Sequence, residues 1–131
     1  MSANVAANIV RNIWAYTVIF CGHFPPDGVS TFTPDVVQQE SKAEWYLRQM
    51  LGSANFTAGR VLAFLSGNLC YQIEHHLFPP DLPSNRYAQI ARRVRPLCEE
   101  YGLPYTTGPL LRQFLQTQRT ILKLALPDRA A

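Results

Sequence analysis

Three histidines stand out in this chain of 131 residues, His23, His75 and His76, and two of them are adjacent. They mark the stretch Gly67-Asn68-Leu69-Cys70-Tyr71-Gln72-Ile73-Glu74-His75-His76-Leu77-Phe78-Pro79 as the place where chemistry concentrates. On a helix, Gln72, His75 and His76 stand at i, i+3 and i+4, with Asn68 one turn earlier, so all four project from one side. Consecutive helical residues point about 100° apart. His75 and His76 therefore address two neighbouring metal ions, or two sides of one site, more naturally than they chelate a single ion. Imidazole suits iron, zinc and copper alike, so ligand type leaves the metal open. Glu74 is placed to accept an imidazole N–H from outside the ligand set. Adjacent helical histidines also occur as a solvated or hydrogen-bonded pair, and the residues alone leave both readings standing. The metalloprotease pattern HExxH, glycine-rich phosphate loops and the nucleophile elbow are absent.

Helices must position these residues. Residues 3–22 read as the first, with Val5, Ile9, Ile13, Tyr16 and Phe20 at helical spacing, ended by Pro25-Pro26-Asp27-Gly28. Residues 24–40 read as a loop with a short extended piece at Thr31-Phe32-Thr33. Ser41 caps a helix from Lys42 to Leu51, with Glu44 at the capping-box spacing, and Gly52-Ser53 stops it. The next helix runs from about Ala58 to Leu77 and carries the histidine pair. Gly67 inside it predicts close packing there.

Pro79-Pro80-Asp81-Leu82-Pro83 is a rigid break. Ser84 or Asn85 caps a further helix with an apolar stripe of Tyr87, Ile90, Ala91, Val94, Leu97, Cys98 and Tyr101. Pro96 predicts a kink near Arg92, and Gly102 closes the helix as a C′ glycine. The last helix follows Gly108-Pro109, with Leu110, Leu111, Phe114, Leu115, Ile121, Leu122 and Ala125 on one face. Pro127 ends it. Strong strand signals and internal repeats are absent, so the expected fold class is mainly α.

Length allows one domain. Hydrophobic residues make up 47% and charged residues 16%, which excludes a disordered charged tail, a collagen-like chain and a low-complexity linker. A net charge of +3 is too weak to argue nucleic-acid binding. Cys21, Cys70 and Cys98 are odd in number and far apart, so they imply neither a zinc knuckle nor a disulfide scaffold. A reduced, cytosol-facing setting fits them. Mean hydropathy of −0.07 excludes a chain built mainly of membrane spans. The longest charge-free stretch, Asn12 to Pro26, falls short of the roughly 18 apolar residues a span wants. Buried or interfacial helices are expected instead, and the start of the chain shows no secretory signal. Residues 1–84 carry a net charge of −2 and residues 85–131 a net of +5. The basic last third suits an anionic surface, either lipid headgroups or an acidic partner.

Gln72-x-x-His75-His76, followed by Leu77-Phe78-Pro79 and then by Pro83-x-x-x-Tyr87, resembles the third histidine box of membrane fatty acid desaturases. The resemblance extends upstream through Trp45-Tyr46-Leu47-Arg48-Gln49 and Ser53-Ala54-Asn55-Phe56, and downstream through Cys98-Glu99-Glu100-Tyr101-Gly102-Leu103-Pro104-Tyr105. Cys21-Gly22-His23-Phe24-Pro25 is similar to the segment preceding that box in bacterial acyl-CoA desaturases.

The resemblance implies that residues 1–131 are the helical C-terminal part of a membrane di-iron desaturase, lying at the cytosolic face. Such an enzyme holds two non-haem irons with histidines from three boxes. It uses O₂ as co-substrate to remove two hydrogens from a CH₂–CH₂ unit of a fatty acyl-CoA or acyl-lipid, leaving a double bond and water. Electrons arrive from a ferredoxin or cytochrome b5-like carrier through a flavoprotein reductase. Residue by residue, His75 and His76 match box ligands. His23 matches an extra histidine between the second and third boxes, with capping of helix-end carbonyls as its other reading. Gln72 stands where many relatives carry histidine and supports the ligands without binding metal, and Asn68 takes a water-mediated role. Two features depart from the pattern. The first box, HxxxH, and the second, HxxHH, are absent, and so are the transmembrane hairpins. The chain alone is therefore not expected to assemble the di-iron centre. An autonomous small α-helical binding module and part of an acyl hydroxylase stand beside this reading.

Overall fold

The computed structural model describes residues 2–24, 32–78 and 82–126. Helix α1 (Ser2–His23) is followed by a short α2 (Pro34–Gln38) and by α3 (Lys42–Leu51), β1 (Asn55–Thr57), α4 (Arg60–Leu65) and α5 (Gln72–Leu77). A 3₁₀ turn (Ser84–Arg86) leads into α6 (Tyr87–Glu100), then β2 (Thr107–Pro109) and α7 (Leu110–Leu124). The chain is mainly α. The expectations resting on Pro25-Pro26-Asp27-Gly28, Thr31, Pro79-Pro80-Asp81 and Pro127 lie outside the described residues.

Local chemistry fixes several boundaries as expected. Ser41 Oγ accepts the Glu44 N–H at 3.3 Å, and the Glu44 carboxylate accepts the Ser41 N–H at 2.7 Å, closing the capping box of α3. Gly102 has φ +64° and sits at C′ of α6. There the Leu103 N–H reaches back to Cys98 O at 2.8 Å, the long bond of a Schellman motif. The helix runs through Pro96 without ending.

The helix expected from Ala58 to Leu77 is two helices. Gly67 and Asn68 have φ of +61° and +63°, and a right-handed helix cannot continue through two left-handed residues. The turn is another Schellman motif, with Asn68 N–H on Ala63 O at 2.7 Å and Gly67 N–H on Phe64 O at 3.0 Å. A Cβ on Gly67 would meet nothing within 4 Å. Glycine serves here for its conformation, not for the close packing expected of it. Other departures are smaller. α2 occupies part of the expected loop, started by Pro34 at its first turn. The 3₁₀ turn takes the place of a Ser84 or Asn85 cap, and α6 begins without a side-chain cap.

β1 and β2 form a parallel pair, with Asn55 opposite Thr107, Phe56 opposite Gly108 and Thr57 opposite Pro109. Three-residue strands are too short for a period-two signal, and Gly108-Pro109 reads as a helix entry. Asn55 is buried within the pair. Two small apolar clusters flank it. Val18, Phe56 and Cys70 form one, joined by Trp14, Leu62 and Leu110. Met50, Ile73 and Cys98 form the other, joined by Leu77, Val94 and Leu103.

The outer helices bury only part of the faces their apolar spacing suggested: on α6 Tyr87, Val94 and Cys98 of the expected stripe pack inward, and on α7 Leu110 does. On α7, Leu111 and Leu122 are 69% and 67% exposed, while Gln113 and Thr117 are 3% and 1% exposed. The reason is polar. Gln113 Nε2 donates to Asn55 O at 2.9 Å. Thr117 Oγ1 lies 2.9 Å from Gln113 O and 3.3 Å from Phe24 O. Carbonyls at the sheet and at the end of α1 need donors, and α7 supplies them. On α6, Leu97 and Tyr101 of the expected stripe are exposed. On α1, Val5, Ile9 and Ile13 are exposed, and the packed side is Trp14, Val18, Cys21 and Gly22. α1 is also long and apolar enough to cross a membrane, which corrects the expectation that no helix reaches that length. Arg11 is its single charge, and 22 helical residues reach about 33 Å, the thickness of a bilayer core.

Candidate metal centre

α5 has six residues, too few to be stable alone, so its neighbours must hold it. Asn55 does most of this. Its Oδ1 accepts the Ile73 N–H at 2.9 Å, in the first turn of α5. Its Nδ2 donates to Glu74 Oε2 at 2.8 Å and to the Tyr105 hydroxyl at 2.7 Å. Tyr105 in turn donates to Glu74 Oε1 at 2.7 Å. Glu74 is fully buried. Burial pushes its carboxyl up, and the hydrogen bonds from Tyr105 and Asn55 pull it part of the way back. Burial likewise raises Tyr105, helped by the Glu74 charge. Glu74 therefore corrects its expected role: it faces the sheet and the Tyr105 segment, and both its oxygens are engaged there, with no imidazole among those bonds. A residue one step from His75 in sequence points about 100° away from it on a helix.

The three histidines lie on the other flank. Gly22 allows α1 to come against α5, since a Cβ there would collide with Gln72 Cγ. That approach delivers His23, the next residue, to His76. Their Nε2 atoms are 3.0 Å apart and their rings 4.9 Å apart. Each ring is tied down through its other nitrogen. His23 Nδ1 lies 2.8 Å from Ile19 O, and His76 Nδ1 lies 3.1 Å from Gln49 Oε1. Both partners are acceptors, so both Nδ1 atoms carry the proton. With the proton on Nδ1 in both rings, two Nε2 acceptors lie at hydrogen-bond distance from each other, a contact that a bound cation or a proton on one Nε2 would satisfy. His75 is 5.7 Å from His76 ring to ring, and its Nδ1 is 3.0 Å from the Tyr87 hydroxyl.

Burial, and then the neighbouring His23 and His75, push His76 down to about 4, and burial lowers His75 as well. Both are thus neutral at pH 7, the state in which imidazole binds metal. Two nitrogens each about 2.1 Å from one ion, at right angles, are about 3.0 Å apart, which matches the His23–His76 separation. Among the described residues, no group of three His, Cys, Asp or Glu side chains closes on one point. The donor set on this chain thus fits part of a nitrogen-rich metal centre.

The remaining sequence candidates divide. Gln72 is buried against Gly22 with its Oε1 unpartnered, at the point where α1 meets the histidine helix. Asn68 is corrected: it lies in the left-handed turn before α5 and does not share the face of His75 and His76. Helical spacing failed for it because the helix stops between. Sequence reasoning missed Gln49 and Asn55, both inside blocks quoted for the resemblance but carrying no spacing signal of their own. It also gave no role to Tyr87 and Tyr105, although both motifs containing them were noted.

The fatty acid desaturase family model matches residues 3–109. The chain belongs to the fatty acid desaturase family. It is 60% identical over 129 residues to the NADPH-dependent stearoyl-CoA 9-desaturase of Mycobacterium tuberculosis (strain CDC 1551 / Oshkosh), an alignment covering 98% of this chain and 30% of the relative. It is 28% identical over 119 residues to human fatty acid desaturase 3, covering 91% of this chain and 24% of that protein. The chain thus spans less than a third of the length of these relatives. No solved structure matches it.

Proposed function

We propose that this chain supplies His75, His76 and His23 as ligands of a non-haem di-iron centre in an O₂-dependent desaturase acting on a fatty acyl-CoA. The observation that carries the reading is the closeness of His23 to His76, with their Nε2 atoms 3.0 Å apart, the separation of two nitrogens at right angles on one ion. When bound, the iron pair supplies O₂ activation and the oxidising power to remove two hydrogens from an alkyl chain. The other histidines of the set belong to segments found in longer relatives, so this chain provides a portion of the site.

The chain's own residues orient and desolvate. Gln49 and the Ile19 carbonyl fix the tautomers of His76 and His23 by accepting their Nδ1 protons, and Tyr87 holds His75. Gln72, packed on Gly22, excludes water from the helix junction behind the histidines. In this reading α1 crosses the membrane with Val5, Ile9, Val10 and Ile13 toward lipid, in keeping with their exposure and the length of the helix, and its His23 end lies at the cytosolic face. Of the basic residues after position 84, Arg112, Arg119 and Lys123 on α7 then meet anionic headgroups or an acidic electron carrier, a ferredoxin or cytochrome b5-like protein reduced by a flavoprotein.

Iron content of the full-length protein tests the reading. Native protein is expected to hold two irons, and His76→Ala and His23→Ala are expected to lose metal while keeping the helical circular dichroism. Full iron occupancy in both variants would overturn the ligand assignment.

A further inference from the structure

A cleft of about 460 Å³ opens between α6 and the β1–β2 pair, and none of the three histidines lines it. Arg92 and Arg95, one turn apart on α6, bring positive charge to it, and Thr57 and Thr107 bring hydroxyls from the two strands. Tyr71, Ala88 and Ala91 give it an apolar wall with one aromatic ring. Among the described residues no carboxylate lines the cleft. Among the described residues Arg92 makes no ion pair, and Arg95 pairs only with Glu99, at 3.2 Å where both side chains are more than half exposed. Such a pair is worth little and is readily exchanged for a better anion. Two guanidiniums, two hydroxyls and a flat apolar wall together match an anion with an aromatic ring attached. Guanidinium binds phosphate oxygens in a planar, two-point fashion.

We propose that this cleft binds the nucleotide end of the acyl-CoA thioester, with its phosphates on Arg92 and Arg95 and its adenine against Tyr71 and the alanines. The assignment rests on the acyl-CoA reading above and adds where the handle of that substrate sits. Its position is consistent with the histidines. Tyr87, which holds His75, directly precedes Ala88 of the cleft wall. Tyr71, at the cleft, directly precedes α5. The handle would thus be gripped within one turn of the helix that steadies His75. A separate groove on the same helix, lined by Leu82, Arg86, Gln89, Ile90 and Arg93, lacks both the strand hydroxyls and the aromatic wall and serves as the control.

The test uses the full-length protein in nanodiscs. Coenzyme A without an acyl chain is titrated calorimetrically into native protein, Arg92→Gln/Arg95→Gln and Arg93→Gln, and stearoyl-CoA turnover is measured for each. The expected result is coenzyme A binding that weakens at least tenfold in the double variant and is unchanged in Arg93→Gln. KM for stearoyl-CoA should rise in parallel, with kcat and iron content kept. Arg92→Lys/Arg95→Lys should fall between, which separates charge from two-point geometry and guards against a folding defect. Equal coenzyme A affinity in native and doubly substituted protein would overturn the assignment. So would inorganic phosphate or anionic vesicles displacing coenzyme A at equal concentration, which would mark a general anion surface. Slower reduction by the electron carrier at unchanged KM would also overturn it and mark a protein-docking face. If native, iron-loaded protein turns over no acyl-CoA at all, the substrate reading itself falls. Turnover with unchanged KM in the double variant removes the cleft assignment alone.

Discussion

On one flank of α5, every polar atom of Asn55 is satisfied and both oxygens of Glu74 accept hydrogen bonds. On the other, two histidine nitrogens lie 3.0 Å apart, and the Gln72 oxygen has no hydrogen-bond partner among the described residues. The first flank does with Asn55 and Glu74 what a folded chain does with most polar groups it must bury, pairing each atom, and leaves only Gln113 Oε1 beside them without a partner among the described residues. The second is a local conflict that the free energy of folding does not resolve. A six-residue helix tolerates that conflict because its other side is clamped. Stability and the capacity to take up a cation are thus divided between two sides of one short helix, and substitutions should tell them apart.

The largest effect is expected at Asn55. Asn55→Ala strands the Ile73 N–H and the Glu74 carboxylate in the interior, each worth about 1–3 kcal/mol, so urea melts should show a loss of several kcal/mol or no cooperative transition. His76→Leu on the opposite flank should leave the melt of metal-free protein unchanged or raise its midpoint. Equal destabilisation by both would end the division.

Gly22→Ala comes next. It forces Gln72 aside, at an overpacking cost of about 1–3 kcal/mol, and it separates His23 from His76. Adding Gln72→Ala should restore the melting temperature. If the double variant also regains iron, Gln72 acts as packing; if stability returns and iron does not, it belongs functionally with the histidines.

A smaller effect concerns acid. The imidazole of His76 is pushed down to about 4 in the fold, against about 6.5 in an unfolded chain. As pH falls below 6.5 the unfolded chain takes up the proton first. The stability of metal-free protein is then complete above about pH 6.5 and declines as pH drops toward 4. Melts at pH 7.5 and 5 should show this slope, and His76→Leu should flatten it.

The smallest effect belongs to Ser41→Ala, which opens the capping box of α3 at a cost of about 1 kcal/mol. It should leave iron content unchanged, because the cap lies at the start of α3, two turns from Gln49, which holds His76, and from Met50, which packs on Ile73. Iron loss there would mean that the clamp extends further than Asn55 and its partners.

How much of this was legible in the sequence depended on range. The capping box of α3 and the Gly102 stop could be read because their partners lie within a few residues. The histidines were legible as a motif, and His23 was placed beside them only by resemblance, since no spacing rule links positions 23 and 76. The break at Gly67-Asn68 was hidden because apolar spacing continues across it. The inward face of α7 was misread because apolar patterning assumes that leucines point in, whereas here the carbonyls of Asn55 and Phe24 call Gln113 and Thr117 inward. The Glu74 role was missed because neighbourhood in sequence was taken for neighbourhood in space.

The Asn55 hub also sets an order of events. Its bonds to Tyr105 and Gln113 join residues 50 and 58 positions apart, across a strand pair only three residues long. Closing so large a loop for so few bonds is entropically slow. The capped α3 and the glycine-terminated helices can form early from local contacts. α5 gains its clamp only when the region around residues 105–113 arrives. A nascent chain therefore carries its histidines for some time before they are held, and the metal-binding geometry is among the last things it acquires.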